Sequence, residues 1–293
     1  MNTCDLSSLF VCFEKYKNLE ILKILIEKGC DINELDEGHN TLLHFVSEGG
    51  YTDIVNYLLD NGGKVNLFNH EGNSPLHLAS EKGHSEIVIN LINKGSYLNS
   101  LNYDGNSALH LASENGHLEI VKHLLKNKAN VNILNDEYNT PLHIASERGN
   151  LQVAEHLLKN KANVNKENVN KDTPFIMSIY GEHLEIAKIL LKYGSNINKK
   201  NISGNTSLHI SSSNENIEII RFLIENGAHV NENNELGYTP LHIASKWCNF
   251  KVVKYLIENG AHINIKSKDG LESIDLVTDE KIRNYIINRY FIT

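Results

Sequence analysis

The sequence predicts an all-α solenoid in which helix-turn-helix units stack on one another through hairpin-like turns. Three observations lead there. First, a 33-residue period runs through the chain: Ser74-Pro75-Leu76-His77-Leu78-Ala79 returns as Ser107-Ala108-Leu109-His110-Leu111-Ala112, as Thr140-Pro141-Leu142-His143-Ile144-Ala145 and as Thr239-Pro240-Leu241-His242-Ile243-Ala244. Stepping by 33 from His44 lands on His77, His110, His143, Ile176, His209, His242 and Asp275. Second, an aliphatic-Asn pair keeps the same step from Ile32-Asn33 to Ile263-Asn264. Third, the four prolines, Pro75, Pro141, Pro174 and Pro240, each follow a Ser, Thr or equivalent cap. A hydroxyl there accepts an otherwise orphan backbone N–H, and proline fits the first helical position because its missing N–H costs nothing. A fixed period of this length is the mark of a solenoid.

Residues 1–35 read as an N-terminal capping half repeat. Leu19, Ile21, Leu22, Ile24, Leu25 and Ile26, followed by Gly29, match the second helix of a unit, and the acidic Asp5 and Glu14 with no basic start argue against a signal peptide. Residues 36–266 hold seven units. In each, a Ser or Thr caps the first helix; Gly83, Gly116 and Gly149 break it, and an Ile/Val/Leu-rich second helix follows. Ile87, Val88, Leu91 and Ile92 form its apolar stripe in the second unit. Gly62, Gly95, Gly194, Gly227 and Gly260 end that helix as left-handed caps. Lys128 and Lys161 stand in the same place, at a cost of up to about 1 kcal/mol each.

The units differ in ways that matter. Unit one has Leu42 at the proline position and Gly38 one place early; unit four has Tyr138 where a turn glycine belongs. Unit five departs most, with Phe175-Ile176 for Leu-His, Met177-Ser178 for the apolar-Ala pair, and Gly181 one residue early. Unit six has Ser211-Ser212-Ser213 and no loop glycine. These losses predict a soft middle at units five and six. From Ser267 the pattern degrades, and a last helix over roughly Glu280 to Tyr290 carries Ile282, Tyr285, Ile286 and Ile287 on one side, so residues 267–293 read as a C-terminal capping repeat. Helices packing roughly 8–10 Å apart would make about nine layers a curved slab about 80 Å long. The unbroken period outweighs the two-domain expectation from length alone.

A unit carrying Thr-Pro-Leu-His-x-Ala, then Gly-His-x-Glu-Ile-Val, Leu-Leu and Gly-Ala-x-Val-Asn resembles the ankyrin repeat, and the resemblance runs from Asp36 to Lys266 with a half unit at either end. It implies a non-enzymatic, cofactor-free scaffold, adaptor or inhibitor that binds one or more proteins on a concave groove. It also implies that the imidazoles of His44, His77, His110, His143, His209 and His242 are structural, bonding the capping hydroxyl and the next turn. Partners of the family dock on hairpin tips and on the inner face of the first helices. The residue four after each histidine position faces that groove and reads Glu48, Glu81, Glu114, Glu147, Tyr180, Ser213 and Lys246; the next reads Gly49, Lys82, Asn115, Arg148, Gly181, Asn214 and Trp247. Tips carry Glu71, Asp104, Asp136 and Glu137, then Val169, Ile202, Leu236 and Tyr238.

The partner-binding candidates therefore fall into two sets. One is an acidic ladder, Glu48, Glu81, Glu114 and Glu147, that would steer a basic segment; the alternative is a solvated face. The other is an aromatic, partly basic patch of Tyr180, Leu236, Tyr238, Lys246 and Trp247; the alternative is that Trp247 folds down over Cys248 and Phe250. Asn33, preceded by Asp31-Ile32 and eight residues after Leu25, resembles ankyrin asparagines accepted by asparaginyl hydroxylases. It is a modification candidate, or simply a turn residue.

Composition excludes little but orders the rest. With 41% apolar and 22% charged residues and a net charge of −8, the chain is ordinary for a soluble protein and ill suited to nonspecific nucleic-acid or membrane-surface binding. No stretch approaches the roughly 20 apolar residues of a membrane span. Cys4, Cys12, Cys30 and Cys248 form no CxxC pair and read as free thiols of a monomer in the cytoplasm or another reducing compartment. Heavy use of Asn, Lys and Ile points to an AT-rich genome, so a second reading is an effector of an intracellular microbe or virus that binds a host protein; a third is a structural spacer. The 15 histidines suggest metal, but neighbours one repeat apart are about 10 Å from each other, too far to share a zinc with bonds of roughly 2 Å. No His-Glu-x-x-His, Gly-x-Ser-x-Gly or phosphate-cradling loop supports a metal-dependent or hydrolytic enzyme.

Overall fold

Capping, rather than helix propensity, sets where each first helix begins. The structure is a computed structural model that describes residues 18–290 together with Phe10 and Phe13. Among the described residues it contains 16 α-helices, one 3₁₀ turn and no strand. The first helices of the seven repeats are Leu42–Gly49, Pro75–Lys82, Ala108–Glu114, Pro141–Arg148, Pro174–Tyr180, Ser207–Ser212 and Pro240–Lys246. The second helices are Thr52–Asp60, Ser85–Asn93, Leu118–Lys126, Leu151–Lys159, Leu184–Lys192, Ile217–Glu225 and Phe250–Glu258. Thr41, Ser74, Ser107, Thr173, Thr206 and Thr239 cap first helices from extended backbone, as the spacing predicts.

The histidine three residues after the cap does two jobs. In His44, His77, His110, His209 and His242 the Nδ1 accepts the backbone N–H of the cap residue at 3.0–3.2 Å. The opposite nitrogen then donates to a carbonyl of the following repeat: Asn73 for His44 at 3.2 Å, Ser100 for His77 at 3.0 Å, Asn139 for His110 at 3.0 Å, Tyr238 for His209 at 2.9 Å and Leu271 for His242 at 3.1 Å. His143 makes the same outward bond to the Asp172 carbonyl at 3.2 Å. One nitrogen must accept and the other donate, so each ring is held as a single neutral tautomer.

Repeats that lack the imidazole show what it supplies. Ile176 is fully buried but has no polar atom to bridge onward, and only the Thr173 hydroxyl caps that helix, accepting Ile176 N–H at 3.4 Å. At the end of the array Asp275 takes over the local bond, its carboxylate accepting Glu272 N–H at 2.8 Å. The segment there shortens to the 3₁₀ turn Ser273–Leu276 before the last helix, Glu280–Tyr290. Ile282 and Ile286 of that helix are fully buried, as a capping helix requires.

A second set of bridges comes from the asparagine after each aliphatic residue. Asn66 donates its amide to Gly95 O at 3.1 Å and accepts Tyr97 N–H at 2.8 Å; Asn165 does the same with Gly194 and Asn196, and Asn231 with Gly260 and His262. Each of these side chains satisfies an exposed donor and acceptor of the next turn, worth about 1 kcal/mol per bond.

Left-handed turn positions stay in register even where glycine does not. Gly181 is right-handed at φ −78°, and the left-handed conformation falls on Glu182 at φ 59°. His39 at 58°, after the early Gly38, and Tyr138 at 60° behave alike, as do Lys128 at 70° and Lys161 at 67°. The loop between the two helices of repeat six has no positive φ; it is tied back instead by Asn214 and Asn216, whose amides both reach the Glu182 carboxylate, at 3.0 and 3.1 Å.

Contacts divide the chain into two compact bodies, Met1–Pro141 with Gln152–Ala162, and Leu142–Leu151 with Asn163–Thr293. In the first, Leu42, Leu58, Leu76, Ile87, Leu91, Leu109, Ile120 and Leu124 are fully buried. In the second, Phe175, Leu190, Leu208, Leu223, Leu241 and Leu256 fill equivalent positions, and Ile179 is fully buried where the first body has serine. Each such side chain contributes about 1.5–3 kcal/mol by leaving water. One cysteine departs from expectation. Cys248 is a free thiol, but the buried Cys30 is disulfide-bonded, so the cysteines no longer argue for a reducing compartment.

Candidate protein-binding surface

In the first body the acidic ladder is compensated within the chain. The Lys82 ammonium lies 2.8 Å from the Glu81 carboxylate and 3.6 Å from that of Glu48, and the two carboxylates raise the lysine pKa. All three side chains keep a third to a half of their surface in water, so the pairing is weak, yet it cancels part of the field a basic partner would feel. Glu114 is half-buried. The main-chain oxygens of the ladder are also engaged: Glu48 O accepts the His84 imidazole N–H, and Glu81 O that of His117, both at 2.9 Å.

The hairpin tips of this body are aromatic as well as acidic. Tyr103 is 74% exposed and Tyr138 56%, among the exposed Glu71, Asp104, Asp136 and Glu137, and Tyr97 is 63% exposed in the turn after Ser85–Asn93. Of these tyrosines the repeat pattern singles out Tyr138 alone, as a glycine replacement. Tyr103 shares its place in the 33-residue register with Val169 and Ile202, so the signal was there to be found.

In the second body Trp247 is 64% exposed and Leu236 58%, and Lys246, next to Trp247 in the chain, is exposed as well. Trp247 sits at the end of Pro240–Lys246, and its neighbours are committed elsewhere. Cys248 turns left-handed at φ 53° and meets the Thr278 hydroxyl at 3.0 Å. The Phe250 ring, which could have sheltered the indole, packs edge-on against Tyr285 at 5.5 Å, and the Lys281 ammonium covers it at 4.3 Å. The indole is left in water. Tyr238 differs: it is half-buried, its ring parallel to the His242 imidazole with centroids 5.4 Å apart, and its carbonyl receives His209. It holds the turn more than it presents a surface.

Tyr180 is 46% exposed, in repeat five. Two repeats separate it from Trp247, about 20 Å at ordinary helix spacing, with the half-buried polar Ser213 and Asn214 at the intervening positions. Tyr180 and Trp247 are thus two spots, not one continuous patch, and Leu236 lies in the turn before the helix that Trp247 ends. Glu147 is half-buried in this body and its carbonyl accepts the His183 imidazole N–H at 2.9 Å.

Asn33 makes the bridge its sister asparagines make. Its amide donates to Gly62 O at 3.0 Å, its oxygen accepts Lys64 N–H at 2.7 Å, and its own N–H goes to Asp31 at 2.9 Å. Nothing in its geometry sets it apart from Asn66 or Asn165.

Among the described residues no three His, Cys, Asp or Glu side chains gather as a metal site would need, and no helix is long and apolar enough to cross a membrane. No curated protein matches the chain. The family model described as ankyrin repeats (3 copies) matches residues 9–102, 69–135, 90–168, 109–201 and 175–267, overlapping stretches that span nearly the whole sequence. The 33-residue register, the capping imidazoles and that match lead to one conclusion: the chain belongs to the ankyrin-repeat family.

Proposed function

We propose that this protein is a non-enzymatic adaptor or inhibitor that binds a partner protein through its second body, with the seventh repeat as the anchor. Ankyrin repeats in general mediate protein–protein interaction, which sets the class. The observation that carries the finer reading is Trp247, 64% in water while Phe250 and Cys248, the nearby side chains expected to cover it, are engaged elsewhere. A large exposed aromatic is costly to leave in solvent, and tryptophan is enriched among residues that dominate interfaces. Leu236 and Lys246 supply an apolar shoulder and a cationic rim. An interface of about 1,600 Å² would need only three or four repeats. The acidic ladder is a secondary element here, because Lys82 already offsets Glu48 and Glu81.

The test is affinity capture from lysate, read by mass spectrometry, with wild type against Trp247→Ala/Leu236→Ala. Circular-dichroism melts of both proteins control for folding. A partner lost from the folded double variant supports the anchor. A partner retained by it removes Trp247 from the site. If proteins are captured equally by a version carrying Glu48→Gln, Glu81→Gln and Glu114→Gln, the ladder has no part in binding.

A further inference from the structure

The hairpins of the first body each carry an apolar side chain just ahead of the residue that ties one hairpin to the next. Asn69 donates its amide to Asn40 at 2.9 Å, Asn102 to Asn73 at 3.0 Å and Asn135 to Asn106 at 3.1 Å. The residues preceding those donors are Phe68, Leu101 and Leu134, and Leu35 stands one step earlier in the register. The turns are stitched as well, His70 N–H to Gly38 O at 2.9 Å and Tyr103 N–H to Glu71 O at 3.0 Å. Bonds at a constant step hold the four side chains in a row, one per repeat and about 10 Å apart at ordinary helix spacing. Leu35, Phe68 and Leu101 are exposed, and Leu134 is half-buried. Rings cover the turns beyond them: His70 lies against His39 with centroids 3.9 Å apart, and a Cβ added to Gly72 would meet the Tyr103 ring at 2.7 Å.

An apolar row left in water marks an interaction surface, and its setting says what covers it. Residues 34–40, 67–73, 100–106 and 133–139 hold seven Asp or Glu and no Lys or Arg. Glu37, Glu71, Asp104, Asp136 and Glu137 are exposed, and none of them forms an ion pair among the described residues. They differ in this from Glu48 and Glu81, which Lys82 offsets. The same register positions in the second body read Glu167, Lys200, Asn233 and Lys266, so the apolar row belongs to the first body alone. Charges there answer one another, Lys199 lying 2.6 Å from Glu167 and Lys200 2.7 Å from Glu232.

We propose that this hairpin row docks a basic segment of a protein, whose aliphatic side chains pack on Leu35, Phe68 and Leu101 while its Lys or Arg side chains face Glu71, Asp104 and Asp136. The site is separate from the Trp247 anchor and does not depend on it, since it is built from other repeats. Charge decides the class of guest. The acids repel nucleic acid and anionic lipid, and a neutral apolar segment would strip water from them without an answering cation. A segment that is both basic and aliphatic meets the row and the acids together.

The probe is a displayed library of short random peptides, selected on the full-length protein, after which the enriched peptides are synthesised and titrated by calorimetry. The expected peptides are rich in Lys or Arg and in aliphatic residues, and added salt weakens them because exposed charges are screened. They should bind Phe68→Ser/Leu101→Ser and Glu71→Gln/Asp104→Asn about tenfold more weakly, and Trp247→Ala as tightly as wild type. All four substituted side chains of the two double variants are exposed, and melts of each confirm folding. Enriched peptides that are neutral or acidic, that bind Phe68→Ser/Leu101→Ser as well as wild type, or that fail to appear at all overturn the inference. Peptides lost only with Trp247→Ala also overturn it and return them to the seventh-repeat anchor. A dimer in sedimentation that Phe68→Ser/Leu101→Ser dissolves would give the row to a second copy of the chain, and overturns it too.

Discussion

The imidazole of His117 reaches back to the Glu81 carbonyl at 2.9 Å and in doing so lies across Gly83, the left-handed end of the preceding helix at φ 85°. A Cβ added to Gly83 would stand 2.6 Å from the ring. Gly50 under His84 and Gly149 under His183 repeat the relationship. Glycine is therefore required twice at these places, for its backbone and for its missing side chain. Gly95, at φ 86°, has nothing within 4 Å and is required only once.

That difference makes a first prediction. Gly95→Ala costs about 1 kcal/mol, the left-handed penalty alone, whereas Gly83→Ala costs about 2–3 kcal/mol because the His117 bridge must also give. Lys128→Gly and Lys161→Gly go the other way and stabilise by up to about 1 kcal/mol. Urea denaturation of the four variants gives the ordering; equal losses for the two alanine variants would refute the packing argument.

Acid should unfold the array through its capping imidazoles. Burial holds His44, His110 and His209 down at about 4, and lowers His77 and His242. Protonation would also put a hydrogen on the Nδ1 that accepts the cap N–H. With folded values below the unfolded one near 6.5, the unfolded chain binds protons first on acidification. The stability is whole above about pH 6.5 and drains as pH falls toward 4, by roughly 3 kcal/mol for each of the three rings held at about 4. Three such losses approach the whole stability of an ordinary domain. Denaturation midpoints should fall steeply between pH 6.5 and 4, and a flat profile there counts against neutral rings.

Asp172→Asn should raise the melting temperature at pH 7. The sign is opposite to that of the histidines: an acid whose folded pKa is raised loses stability as pH climbs through that folded value, so ionised Asp172 is a liability at neutral pH. Asparagine removes the buried charge and restores an acceptor for Asn201, a gain of about 1 kcal/mol or more. The gain should shrink on acidification as Asp172 itself becomes neutral. A variant less stable than wild type at pH 7 would mean that the carboxylate gains more from its surroundings than its burial costs.

Repeats five and six should open first in hydrogen exchange. Ile176 removes the imidazole bridge from repeat five, and the loop of repeat six, with no left-handed glycine, depends on two side-chain amides gripping Glu182. Amides of Ser207–Ser212 should therefore exchange faster than those of Pro75–Lys82. The reverse order would place the weak point elsewhere.

Ser74, Pro75 and His77 are legible as a helix start in sequence because capping is local: cap, proline and imidazole all lie within three residues of one another. Register is legible too, since a bond from His110 to Asn139 or from Asn66 to Gly95 recurs at a constant separation. The exposed Trp247 was a candidate from its position, but its exposure depended on Tyr285 and Lys281 claiming Phe250, residues about thirty positions away. Tyr238 had the right composition and the wrong surroundings, because its ring meets His242.

The sequence by itself determined the ankyrin architecture, the helix starts and ends, and the neutral histidine bridges, since each follows from short-range chemistry repeated at a fixed step. The tertiary structure alone decided that Lys82 stands between Glu48 and Glu81, that Cys30 is bonded, and that Asn201 donates to the Tyr180 hydroxyl. In each of these, side chains from different turns or repeats compete for one partner. A linear pattern records which competitors are present, and only their distances settle which one wins.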